Sequence, residues 1–372
     1  PTLRMVLQEG LAARIVLITV ERGTPPATGL EPLPAGVVHV PLHASRGPRP
    51  LARAYDRLTM VPRIATIARR EGASFIMARG VVAGGFAHGV HRRTGIPYAV
   101  DYFEPHNEYM VEVGEWAAGG LLDRSLQRMI KDQLRTASAC VTVAANYRER
   151  LIAQGADPAR LHVAPCPVDA ARMRFDAAAR ARVRAELGWT DAVIGIYLGK
   201  FGGLYHRERA FAAFATAGRH FGDRFALLVL TPEPPEQVHA GLQAAGHQGR
   251  VLVRYAPHAE VPAYLSAADL AFAPYRGTRS SACISPMKIG EYWSAGLPVL
   301  LTRGVGDDSA IIAADPDAGA VFDPEGNDLS AALASVEAAI ARAGQRERTM
   351  ALAARYRSMD ITRDVYRRIL PR

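Results

Sequence analysis

The sequence predicts an α/β protein built from two doubly wound parallel-sheet domains facing a central cleft. Three observations carry this. Short aliphatic runs alternate with amphipathic stretches of helical spacing through nearly the whole chain. The length of 372 residues suits two domains of ~150 residues each. A proline bracket, Pro165-Cys166-Pro167, breaks the alternation near its middle, as a crossover between domains would.

In the first half, strands are expected at 15–20, 37–40, 75–78, 98–101, 139–143 and 161–164. Helices are expected at 2–14, 54–70, 84–94, 120–137 and 146–154. Because the chain opens at Pro1 beside a helical stretch, a further strand with its glycine-rich loop is expected upstream. The second half alternates more sharply. Its strands are expected at 193–198, 225–230, 251–255, 269–273, 298–302 and 320–322. Helices are expected at 207–220, 236–245, 261–267, 287–295, 309–314 and 329–343. Strand and helix alternating through short turns signify a parallel sheet covered on both faces. The domain reading is 1–165, a linker and Arg/Ala-rich entry helix at 166–190, a second domain at 191–345, and a C-terminal helical segment at 346–372.

Composition narrows the function classes. No apolar run approaches the ~18–20 residues that span a bilayer; the longest, 15–20 and 297–302, have strand length. Three scattered cysteines, Cys140, Cys166 and Cys283, form no CxxC pair, which argues against a disulfide framework or zinc site and fits a reducing, cytoplasmic setting. The net charge of +9 is almost all arginine, with Lys131, Lys200 and Lys288 the only lysines. Such an excess can attract nucleic acid, anionic lipid or phosphorylated substrates. No basic stretch interleaved with aromatics is present, so nucleic acid is not expected as a partner. Arg63, Arg69 and Arg70 flank an apolar stripe of Leu58, Val61, Ile64 and Ile67. The stripe reads either as an interfacial helix lying on a membrane or as an ordinary core-facing helix, the commoner arrangement.

Two segments carry chemistry. The strand at 193–198 runs into Gly199-Lys200-Phe201-Gly202-Gly203-Leu204-Tyr205-His206. Glycines between a strand and a helix let backbone amides approach a phosphate, and the lysine adds a point charge. The spacing is neither GxGxxG nor a P-loop, which counts against a nicotinamide-dependent dehydrogenase. The second segment, 285–299, reads SPMKIGEYWSAGLPV. Ser285 is expected as N-cap and Pro286 at the first helical position. Lys288 and Glu291, three apart, share a helix face. That face can set a cation near phosphate and a carboxylate near two vicinal hydroxyls. The plain alternative is a surface ion pair. Two of the three lysines thus fall on segments facing one cleft.

The 285–299 segment resembles the SPxKxxEYxxAGxPV motif of the retaining glycosyltransferase family 4, which has the GT-B fold of two Rossmann-like domains. His258, Glu260, Pro262 and Asp269 resemble the step that precedes the motif, and Gly304-Val305-Gly306-Asp307 the turn that follows it. The 356–369 segment is similar to the helix that crosses back to the first domain. Arg79-Gly80 and Pro97–Asp101 through Glu108 to Trp116 resemble a first-domain pattern found in one branch.

The resemblance implies transfer of a sugar from a nucleoside-diphosphate donor to a hydroxyl acceptor, with retention of configuration and without a metal or other cofactor. It implies that Lys200 and Lys288 neutralise the leaving diphosphate and that Glu291 binds ribose. Gly199, Gly202, Gly203, Tyr205, His206, Ser285, Pro286, Gly306 and Asp307 would complete the donor side. Charge builds on the departing diphosphate, and preorganised cations and helix ends would stabilise it. Two departures stand out. Cys283 occupies the place where the family commonly has a second glutamate, and Lys200 replaces an arginine, with His206 and Arg207 nearby. On the acceptor side, Asp101, Glu104, His106 and Glu108 are expected to crowd one loop, with Arg79 close; Asp101, Glu104 or His106 would orient the acceptor hydroxyl. A lipid-linked or oligosaccharide acceptor, in cell-surface polysaccharide or glycolipid synthesis, would suit the basic first half and a peripheral membrane position. The alternatives are a sugar-nucleotide epimerase on the same fold and a catalytically silent scaffold.

Overall fold

The computed structural model describes residues 2–21, 23, 32–45, 49–326 and 328–371. In the first half, β1 (Ile15–Glu21) and β2 (Val37–His43) pair in parallel as a separate ribbon. A four-stranded parallel sheet then follows chain order: β3 (Ile76–Arg79), β4 (Tyr98–Tyr102), β5 (Ala139–Thr142) and β6 (Leu161–Val163). The second half holds β7 (Val193–Leu198), β8 (Phe225–Leu230), β9 (Arg250–Arg254), β10 (Leu270–Ala273), β11 (Val299–Thr302) and β12 (Gly319–Phe322). All pair in parallel, in the order β12-β11-β10-β7-β8-β9. This is the doubly wound order, and its direction reverses between β7 and β10. A crevice opens there at the carboxyl ends of the strands, where ligands of such sheets bind.

The burial of β8 shows why the second sheet forms. All six residues of Phe-Ala-Leu-Leu-Val-Leu are buried, as a strand covered on both faces requires. Ile194, Ile196 and Leu198 of β7 pack with Tyr292 and Trp293 on one face, while Tyr197 packs with Phe211 and Phe214 on the other. In the first domain, Val100 and Tyr102 face Ile130 and Tyr147. The opposite face, with Ala99 and Val141, is covered by Met5 and Val6 of the Thr2–Gln8 helix and by Val365, Tyr366 and Ile369 near the C-terminus.

Several expectations need correction. The first helix ends at Gln8 rather than 14, because the chain turns at Gly10 with φ +63°. The segment expected as one helix over 356–369 is broken: Gln345–Arg357 ends at Ser358, whose hydroxyl accepts from the Asp360 amide and starts a new helix, Met359–Ile369. His106 and Glu108 lie not in a loop but on a short helix, His106–Glu112, too brief for periodicity to reveal. The helix expected at 54–70 runs Arg49–Arg70, and its stripe faces inward. Val61, Ala65 and Ala68 pack against Val90. Gly89 makes room, since a Cβ there would lie 2.9 Å from Val61. Leu58 alone of that stripe stays exposed. Among the described residues, no helix is long and apolar enough to cross a membrane.

Candidate functional site

The crevice between β7 and β10 is shaped by two turns. Leaving β7, Gly199 adopts φ +118°, and a Cβ there would stand 3.2 Å from Lys288 Nζ; glycine thus permits both the backbone turn and the approach of the lysine. Gly202 and Tyr205 exchange backbone hydrogen bonds at 3.1 Å. The Tyr205 strip then pairs with Tyr275 beyond β10, the Arg276 amide donating to the Leu204 carbonyl at 2.8 Å.

The helix Met287–Ser294 supplies the side chains. Pro286, not Ser285, stands at its N-cap position. The Ser285 hydroxyl is engaged elsewhere, accepting from the Cys166 amide at 3.0 Å and from the Arg357 guanidinium. The Tyr292 hydroxyl accepts from the Leu198 amide at 3.0 Å and donates to the Phe272 carbonyl at 3.2 Å, which pins the helix to both central strands. Trp293 Nε1 donates to the Ala318 carbonyl at 3.1 Å.

So fixed, Lys288 is driven into an enclosure of three tyrosine rings. Its Nζ lies 4.0 Å from the ring centre of Tyr205, 4.7 Å from Tyr197 and 5.4 Å from Tyr275, and it has no hydrogen-bond partner among the described residues. A ring face under a cation contributes about 0.5–2 kcal/mol. Removing an ammonium from water costs several kcal/mol even after relaxation. Burial prevails: it pushes the Lys288 pKa down to about 7, against the opposing pull of Glu291. Glu291 itself is raised above the usual carboxylate range by burial, with His258, Lys288 and Arg172 acting in the other direction. His258 Nε2 lies 3.9 Å from its carboxylate.

The other donor-side candidates are placed as follows. Lys200 is exposed, and its carbonyl accepts from the Tyr197 hydroxyl at 2.6 Å. Arg207 pairs with Glu233, whose other oxygen accepts from the Phe201 amide at 2.6 Å. His206 Nδ1 lies 3.5 Å from Glu208. Gly203 faces the first domain, a Cβ there falling 3.3 Å from the Tyr109 hydroxyl. Gly306 and Asp307 are also turned toward that domain. Asp307 accepts from the Ala145 and Asn146 amides at 2.6 and 3.0 Å, and the Asn146 side chain donates to the Gly306 carbonyl at 3.0 Å.

On the acceptor side, Arg79 stands 3.7 Å from Asp101, whose carboxyl is raised by burial and lowered by that arginine. Glu104 and His106 Nδ1 are 2.7 Å apart, a contact that fixes the imidazole orientation. Glu108 accepts from Arg150 at 2.7 Å. Cys283 is buried among first-domain residues, with its thiol pushed up to about 11 by burial. Among the described residues, no group of three or more His, Cys, Asp or Glu side chains could hold a metal ion.

The structure thus brings Gly199, Tyr205, Lys288 and Glu291 together, and leaves Lys200 at the rim. Sequence reasoning missed Tyr197, which reads as an ordinary strand position, and Tyr275, which lies just beyond the strand expected at 269–273. It also missed Glu112, which accepts from the Ser280 amide at 3.0 Å and from its hydroxyl across the cleft.

Two family models match the chain. Residues 5–167 match the glycosyl transferase 4-like domain, and residues 196–340 match the glycosyl transferases group 1 domain. No curated protein sequence matches. Among solved structures, sucrose-phosphate synthase from Thermosynechococcus elongatus is similar with a TM-score of 0.73 at 17% identity, over 94% of this chain and 88% of that one. Alpha,alpha-trehalose 6-phosphate synthase from Burkholderia multivorans gives 0.66 at 14%, over 100% and 92%. HepE of Anabaena, in complex with UDP, gives 0.65 at 14%, over 88% and 84%. At these identities the structures speak for the fold, and the two family matches, covering both halves, for the family. The chain belongs to the family 4/group 1 glycosyltransferases and has their GT-B fold.

Proposed function

We propose that the protein moves a hexose from a UDP-sugar to a hydroxyl acceptor with retention of configuration, without a metal or other cofactor. One observation carries the donor side: a buried lysine without a hydrogen-bond partner among the described residues, at the strand-order switch of a doubly wound sheet. Burial disfavours the charged form of such a lysine, and an anion brought into contact restores it. The bound UDP reported for HepE supports a diphosphate as that anion. Lys288 takes the diphosphate, Lys200 approaches from the rim, and amides of the Gly199–Gly203 turn complete the cradle. Glu291 accepts from the ribose hydroxyls. The bond between the anomeric carbon and the phosphate oxygen breaks, the acceptor oxygen takes its place on the same face, and the acceptor's proton passes to the departing diphosphate oxygen of UDP.

Across the cleft, the Glu104–His106 pair orients the acceptor hydroxyl, with Asp101 and Arg79 behind it. A lipid-linked or oligosaccharide acceptor for cell-surface polysaccharide or glycolipid synthesis, met at the cytoplasmic face of a membrane, accords with the net charge of +9.

Calorimetric titration of UDP tests the reading. Binding to the wild type should weaken at least ~30-fold in Glu291→Ala, the loss of about 2 kcal/mol expected when hydrogen bonds to a charged group are removed. Unchanged binding in both Glu291→Ala and Lys288→Ala would sink the donor site. Conversion of a nucleotide sugar with no acceptor present, beyond slow hydrolysis, would instead indicate an epimerase.

A further inference from the structure

A diphosphate oxygen can reach Lys288 Nζ where it lies only if part of its tyrosine enclosure moves, because that atom is buried and meets no acceptor among the described residues. The three rings are not equally free. Tyr197 lies in β7, stacks on Phe201 at 4.6 Å and donates its hydroxyl to the Lys200 carbonyl. Tyr275 is buried where β10 ends. Tyr205, the closest ring, is tied to Tyr275 by a backbone bridge and a hydroxyl contact, but it is only partly buried and rides on a turn containing Gly202 and Gly203, at φ +87° and +62°. The moving wall is therefore Tyr205.

Resting on the donor-site reading above, we propose that Tyr205 is a gate over Lys288, that a nucleoside diphosphate must displace it, and that Lys288 takes up one proton from solvent as it pairs with phosphate. The proton adds to the amine lone pair, and the resulting ammonium meets a phosphate oxygen that is already ionised.

The charge balance around the lysine supports this. Burial holds its pKa at about 7, so above that pH the amine is largely neutral. A phosphate in contact favours the charged form and raises the pKa again. Burial also raises the pKa values of Tyr197, Tyr205 and Tyr275, so these phenols stay protonated through neutral pH. On its own helix the charge that acts on Lys288 is Glu291. The other charged or titratable neighbours of the site are Lys200 beyond β7, Glu233 with Arg207, His206 with Glu208 beside Tyr205, Arg276 beside Tyr275, Tyr109 across the cleft, and His258 and Arg172 beside Glu291. An imidazole is the other side chain able to exchange a proton near neutrality. His206→Gln and His258→Gln are therefore the controls.

The test titrates UDP into the full chain at pH 8 in phosphate and in Tris, whose ionisation heats differ. The wild type, His206→Gln and His258→Gln should take up about 0.9 proton per UDP, and their Kd should rise about tenfold from pH 8 to 9. Tyr205→Ala, which admits water to the ammonium, should cut the uptake to a small fraction. Lys288→Arg should bind with no uptake; if it fails to fold, the wild-type and Tyr205→Ala profiles decide alone. UDP binding without proton uptake in the wild type overturns the gate and leaves the donor site standing. Equal uptake in the wild type and Tyr205→Ala also overturns the gate. Failure to bind UDP, GDP or ADP at all overturns the donor reading, and the gate with it.

Discussion

Asp307 caps a helix of the opposite domain: its Oδ2 lies 2.6 Å from the Ala145 amide, at the start of the Ala145–Ala153 helix. That helix has no side-chain cap of its own, so a carboxylate from the second domain satisfies its free amides and meets the positive end of its dipole. Asp307→Ala should lower stability by about 1 kcal/mol, as loss of a helix cap does. Asp307→Asn, which keeps one acceptor, should lose less. Urea denaturation of the three proteins checks the order, and equal midpoints would show that the cap contributes nothing.

Arg357 and Asp308 form a buried pair that anchors the Gln345–Arg357 helix beside the donor-site helix. The guanidinium reaches both carboxylate oxygens and the Ser285 hydroxyl, and the Arg357 carbonyl accepts from the Val168 amide at 2.9 Å. Removing one partner strands a charge in the core. Asp308→Ala should therefore cost about 3–5 kcal/mol, whereas Arg357→Met combined with Asp308→Leu should cost clearly less. A double variant no more stable than Asp308→Ala would refute the charge argument.

The parallel sheets and the donor-site helix could be read from the sequence because their signals are local. β8 is one unbroken apolar run, and the Lys288–Glu291 segment is bounded by proline and glycine. What escaped depends on contacts between distant segments. Nothing near Ser285 announces that its hydroxyl will be taken by Arg357, 72 positions on, which leaves Pro286 at the N-cap. Asp307 could be seen to lie in a turn, but not to be 162 positions from the amide it caps. Tyr197, Tyr205 and Tyr275 become an enclosure only because β7 and β10 are neighbours in the second sheet.

Gly199 offers a narrow test of the site geometry. An alanine there would hold φ +118° against its preference and place a methyl 3.2 Å from Lys288 Nζ. The backbone effect alone should cost about 1–2 kcal/mol. The methyl also crowds the approach to the lysine, so UDP affinity should fall along with stability. Gly10→Ala is the comparison, with φ +63° and no atom near the added carbon. Calorimetry should show weakened UDP binding in Gly199→Ala only; equal binding by both variants would separate Gly199 from the donor site.

Lys288 also makes stability depend on pH in a definite direction. Its pKa is about 7 in the folded protein, below the ordinary value of 10.5. Between those values the unfolded chain holds more protons at this site than the folded one, so stability must rise with pH. The contribution is about 1.4 kcal/mol per pH unit once pH exceeds 7, and it vanishes below 7, where both states are charged. Lys288→Met removes the linkage. Denaturation midpoints of both proteins from pH 6 to 8.5 isolate the term, because the other titrating groups are shared. The stability advantage of Lys288→Met over the wild type should be constant below pH 7 and shrink as pH rises. A constant difference across the whole range would mean that Lys288 keeps its charge in the folded state, held by the three tyrosine rings and Glu291.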